Sequence, residues 1–176
     1  LDEDRREPAF NLHVVDPATG DIEQLTFNPS HDQDPTVLDS GDIVFSRWDN
    51  VPGRDAFSLY RMRADGGGAE LLYGYHSQNE GQDDARTSYF EPRELPDGRL
   101  IVSMRSPDNG QLASNYMTID YTGFIDAETP TWGGGGVAGQ TGLLQPPVLP
   151  DAPNARGQFG SVTPLWDGTE RLLVTW

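Results

Sequence analysis

Apolar residues in this chain gather in short runs that glycine, proline and aspartate keep interrupting. No stretch of a dozen residues sustains the i, i+3, i+4, i+7 spacing of an amphipathic helix. The β-branched and aromatic content of the runs predicts strands instead. Three runs resemble one another: TVLDSGDIVFSRW (Thr36 to Trp48), RELPDGRLIVSMR (Arg93 to Arg105) and TPLWDGTERLLVTW (Thr163 to Trp176). Each reads as an extended lead-in, a tight turn at Gly41, Gly98 or Gly168, and an apolar return strand. The glycine supplies the positive φ that a hairpin turn needs. The return strands IVFS, LIVS and LLVT are apolar at consecutive positions, which predicts burial on both faces.

A second hairpin alternates with the first. NLHVVDPATGDIEQLT (Asn11 to Thr26) and SLYRMRADGGGAELLY (Ser58 to Tyr73) are complete, and NYMTIDYTG (Asn115 to Gly123) reads as a third first half. Their leading strands are predicted to end at Asp16, Asp65 and Asp120. One hairpin of each kind makes a four-stranded antiparallel unit, and repetition of such units is the mark of β-propeller blades. The turn glycines at 41, 98 and 168 are spaced more widely than the ~40–50 residues of an ordinary blade. Inserts are therefore expected at Asn50 to Ala56, Gly74 to Ser88 and Thr122 to Gly160, with 107–159 as a whole a Gly/Pro-rich insert or long loop. The expected fold is all-β: one propeller segment over 1–176, an arc of about three blades from a larger ring. Closure of the end hairpins into one shared blade would give a cramped three-bladed ring. An acidic opening without Met and an apolar ending, RLLVTW, fit a piece of a longer polypeptide.

Composition narrows the chemistry. The 176 residues carry 12 basic side chains, all arginine, against 28 acidic ones, for a net charge of −16. Nucleic acid is excluded as a partner, because phosphate contacts need a basic surface. No cysteine is present, which removes disulfides, thiolate zinc sites, CxxCH haem attachment and a cysteine nucleophile within the chain. No apolar run reaches the roughly 18–20 residues of a transmembrane helix.

The strand-turn-strand runs resemble the TolB-type (PD40) propeller repeat. Leu38, Gly41, Ile43, Phe45, Ser46 and Arg47 carry the likeness, continued by Leu59, Tyr60, Met62, Asp65 and Gly66, and then by Pro96, Asp97, Gly98, Leu100, Val102 and Ser103. A closer resemblance, over most of 10–106 and 160–176, is to the middle domain of hydrazine synthase alpha-subunit-like proteins. It implies a propeller of an exported bacterial protein, periplasmic or extracellular. It does not bring the haem chemistry, since the chain lacks the cysteines that would hold haem.

Several residues are candidates for binding at the mouth of the central channel. HDQDP places His31, Asp32 and Asp34 before an innermost-type strand. Asp32 and Asp34, with Asp49, offer hard oxygen ligands for calcium, though without the glycine and distal glutamate of an EF-hand. His31 and His76 are candidate ligands for a transition metal. Arg47, Arg93 and Arg105 flank the repeat strands, and each either pairs with a neighbouring aspartate or meets an anion; Arg93 is the channel-mouth candidate. NEGQDDAR, with Asp83 and Asp84, reads as a solvated loop. The glycines 133–136 lack the Lys-Ser/Thr of a phosphate loop, and no G-x-S-x-G elbow is present. The expected function is a non-catalytic ligand-binding, protein-binding or assembly module that works with other blades or domains of a longer parent. The alternatives are an accessory domain of a haem-bearing oxidoreductase or of a peptidase, and a calcium-stabilised structural module.

Overall fold

A computed structural model describes residues 7–51, 54–75, 87–105, 115–136, 138–143 and 159–176. Its described residues form twelve strands and no helix, so none is long and apolar enough to cross a membrane as a helix. The strands are β1 (His13–Val15), β2 (Ile22–Gln24), β3 (Asp32–Val37), β4 (Ile43–Val51), β5 (Arg54–Met62) and β6 (Glu70–Tyr73). They continue with β7 (Ser88–Glu94), β8 (Leu100–Arg105), β9 (Asn115–Ile119), β10 (Gln140–Gly142), β11 (Ser161–Pro164) and β12 (Leu172–Thr175). All pairing is antiparallel, in four sheets: β1-β2, β3-β4-β5-β6, β7-β8-β9-β10 and β11-β12.

Turn chemistry explains where the chain reverses. Gly41, Gly98 and Gly168 adopt φ of 88°, 83° and 78°, each in the hairpin that opens a sheet. At the other hairpins Asp16 accepts the Ala18 N–H, Asp65 the Gly67 N–H and Asp120 the Thr122 N–H. These are Asx-turns, in which a short carboxylate takes the place of a backbone acceptor.

Packing follows the strand patterns. Val44, Leu59 and Tyr73 of the β3–β6 sheet meet Tyr89, Leu100, Val102, Met117 and Ile119 of the β7–β10 sheet in one buried cluster. Ile43, Phe45 and Met62 face the other way, onto Leu12 and Leu25 beside the β1-β2 hairpin. Ile101 and Tyr116 face outward from the second large sheet onto Val162, Leu172 and Phe159. The four sheets therefore stack in chain order, and both four-stranded sheets are covered on both sides. Successive strand residues point to opposite faces, so β4 and β8 need apolar side chains at adjacent positions. Burying each such Val, Leu or Phe contributes about 1.5–3 kcal/mol. In β12 the same pattern leaves Leu173 at 64% exposure, because no sheet covers its outer face among the described residues.

Two expected inserts differ from the structure. Asn50 to Ala56 is not an excursion: β4 and β5 simply run on, paired as far as Val51 opposite Arg54. Within 107–159 the chain carries β9, already legible as a strand, and also β10, which pairs Gln140 with Ile119 and completes the second large sheet. Three residues flanked by glycine-rich sequence carry too weak a pattern to be read as a strand; the exposed edge of β9 recruits them. Most of Gly74 to Ser88 lies outside the described residues.

Candidate functional site

The first strands of the two large sheets carry the same irregularity. β3 shifts register between Gln33 and Thr36, and β7 between Phe90 and Arg93. Each bulge contains an acid followed by proline, Asp34-Pro35 and Glu91-Pro92. Proline has no N–H to give the ladder, which favours a bulge at that point. Asp34 and Glu91 take up the strain, at φ of 54° and 51°. Holding a non-glycine residue there costs on the order of 1–3 kcal/mol.

Hydrogen bonds across the bulges offset that cost. Glu91 N–H donates to Asp34 Oδ2 at 3.2 Å, and Tyr116 O–H donates to Glu91 Oε2 at 2.7 Å. Burial raises the Asp34 carboxyl above its ordinary range; the Glu91 N–H opposes this, the Glu91 charge reinforces it, and Arg105 and Arg93 oppose it. Arg105 itself lies 4.2 Å over the Phe90 ring.

Past the bulges, the ends of β3 and β7 and the β11-β12 turn surround a cavity of about 380 Å³. Thr36, Asp39, Arg93, Glu94, Thr163 and Trp166 are among its lining residues. Arg93 Nη1 donates to the Pro92 carbonyl at 2.8 Å, and Arg93 forms no ion pair among the described residues. Glu94 Oε2 accepts the Asp39 N–H at 2.6 Å, which fixes that carboxylate. Trp166 is 62% exposed. The cavity thus combines a donor fork, two carboxylates, threonine hydroxyls and an open indole face.

The other candidates from the sequence are deployed elsewhere. His31 is buried between Phe10 and Trp48, with ring centroids 5.1 and 5.4 Å away. Its Nδ1 accepts the Phe10 N–H at 3.2 Å, and its Nε2 lies 3.7 Å from Glu7. Asp32, directly opposite Arg47 in the β3-β4 register, receives Arg47 Nε at 2.7 Å and Nη2 at 2.9 Å, and Asn28 Nδ2 at 3.2 Å. Arg47 in turn lies 4.8 Å over Tyr60, whose O–H donates to Asp49 at 2.8 Å. Burial, then the Asp49 charge, push the Tyr60 phenol far above its ordinary value. Asp32 pairs with Arg47, Asp34 accepts the Glu91 N–H and Asp49 accepts the Tyr60 O–H. No group of three potential metal ligands occurs among the described residues. His13 lies on exposed β1, and His76, Asp83 and Asp84 fall outside the described residues.

Of the four binding candidates among the described residues, Arg93 alone lines the cavity, with Asp34 one bulge away. Asp39 and Trp166 sit in ordinary-looking hairpin turns and Glu94 at the end of β7, and nothing local in the sequence distinguishes them. The acid-proline pairs did leave a trace: Asp34 and Glu91 lie at the same offset before Gly41 and Gly98, in DPTVLDSG and EPRELPDG. No protein-family profile, curated protein or solved structure matches this chain.

Proposed function

We propose that the chain is a non-catalytic binding module, an arc of a β-propeller whose ligands enter where the first strands of successive sheets converge. The observation that carries this reading is the packing of consecutive sheets through β7, which lies against β3 as well as β4 and β5 and which β11 contacts in turn. Sheets that fan about an axis bring their first strands together, and the cavity is lined from β3, β7 and β11. The β-meander order of both large sheets supports the same reading. The TolB-like character and the exported bacterial setting rest on the sequence resemblance.

A mixed panel of saccharides, peptides and small metabolites tests the reading by thermal shift, with Arg93→Ala and Trp166→Ala beside the parent chain. The expected result is a ligand that raises the Tm of the parent chain, loses that effect in both variants, and is recovered chemically unchanged by mass spectrometry. A panel without a binder, binding indifferent to both substitutions, or turnover of the ligand would overturn it.

A further inference from the structure

We propose that the cavity between β3, β7 and the β11-β12 turn takes a neutral carbohydrate, with a sugar ring lying on Trp166. This rests on the reading of the chain as a binding module and names the chemical class of what it binds.

The charges of the lining argue against an anionic ligand. Asp39 and Glu94 repel an anion, and the chain's net charge of −16 adds to that barrier. Arg93, half-buried and without an ion pair among the described residues, offsets one of the two carboxylates and so weakens the pull on a cation. A neutral ligand meets no such barrier.

The hydrogen-bonding groups select further. A guanidinium only donates, and an ionised carboxylate only accepts. A ligand satisfying both within one cavity must offer donors as well as acceptors, as the hydroxyls of a sugar do. Ligand hydroxyls can donate to Glu94 or Asp39 and accept from Arg93. Arg93 has N–H groups beyond the one given to Pro92, and Glu94 is already held by the Asp39 N–H. Neither group has to be ordered from scratch, which reduces the entropy lost on binding.

Trp166 supplies what hydrogen bonds cannot. Its indole is a large apolar surface left 62% exposed at the cavity rim. The C–H face of a pyranose ring can cover it, gaining on the order of 25 cal/mol per Å² removed from water. The cavity, about 380 Å³, falls within the ~300–1,000 Å³ range of small-ligand clefts.

Isothermal titration and saturation-transfer NMR on the whole chain test the inference. The probes are neutral cello-, xylo-, malto- and chito-tetraoses, with tetragalacturonate as the anionic counterpart and tetraglucosamine as the cationic one. The expected result is saturable binding of at least one neutral oligosaccharide, tighter than either charged probe. Trp166→Ala and Arg93→Gln should each weaken it by about tenfold or more, and Trp166→Phe should restore most of the loss. Circular dichroism confirms that the variants fold. A charged probe that binds as well or better, and is sensitive to Trp166→Ala, overturns the neutral-sugar inference but leaves the binding module standing. Sugar binding unaffected by the substitutions, or no binding by any probe, also overturns it. Whether the cavity binds something of another class is decided separately by the mixed panel.

Discussion

The Asp34 carboxylate accepts the Glu91 backbone N–H at 3.2 Å, and the two residues hold the same place in consecutive sheets. Each is an acid before a proline, each stands at positive φ, and one interlocks the sheet of the other. The bulge is thus a local defect in each ladder and also the joint between the two sheets beside the cavity.

Asp34→Ala should destabilise the chain by about 1 kcal/mol, the net worth of a hydrogen bond that here is part-buried. Asp34→Asn, which retains an acceptor oxygen, should lose less. Urea unfolding checks both. The pH dependence is equally specific. The folded pKa of Asp34 is raised above 3.8 by burial, so between those two values the folded chain holds a proton that the unfolded chain has released. The contribution of Asp34 is full below 3.8 and is lost as the pH rises through the folded value. Asp34→Asn should remove that segment of the stability-pH curve; an unchanged curve contradicts the assignment.

The turn carboxylates act in the opposite direction. The Arg99 side chain holds the Asp97 carboxyl below its ordinary range, and the N–H of Gly123 does the same for Asp120. Their contribution is present above 3.8 and disappears as the pH falls through their depressed values. In acid titration followed by circular dichroism, Asp97→Asn with Asp120→Asn should flatten the acid limb. Asparagine retains the turn but not the charge, so the turn itself should survive.

Arg47→Ala should be among the most damaging single substitutions in the β3–β6 sheet. It leaves the Asp32 side chain, fully buried, without its bidentate partner, and breaking a buried pair in this way costs about 3–5 kcal/mol. Replacing both residues, as Asp32→Ala with Arg47→Met, should recover part of the loss. The same pair makes a calcium prediction. A metal at Asp32 would have to displace Arg47, so calcium and EDTA should leave the Tm of the parent chain unchanged. A calcium-dependent rise would show that the pair yields.

Two glycines separate backbone strain from steric conflict. Gly41 and Gly74 both have positive φ, 88° and 99°. A Cβ at Gly41 would meet nothing within 4 Å, whereas one at Gly74 would stand 2.5 Å from Tyr89 Cε2. Gly41→Ala should cost about 1–2 kcal/mol, the penalty for an L-residue in that region. Gly74→Ala should cost more, because Tyr89 is fully buried and packed edge-on to Tyr73 at 5.6 Å. Denaturant midpoints of the two variants test the difference.

What the sequence determined by itself was local. Turn glycines and aspartates with apolar runs between them specify hairpins, and the doubly apolar runs of β4 and β8 already imply that both sheet faces are covered. These features depend on φ preferences and on the two-residue period of a strand, which neighbouring residues decide. Arg47 and Asp32 could not be matched from the sequence, because their pairing depends on the register across a bulged hairpin. β10 was invisible because three weak residues become a strand only when β9 offers its edge. The cavity depended on tertiary structure most of all. Asp39, Arg93 and Trp166 come from three hairpins far apart in the chain, and they share a cavity only because three sheets stack on one another. Stacking is set by the burial of whole sheet faces, a property of the assembled layers that no single segment encodes.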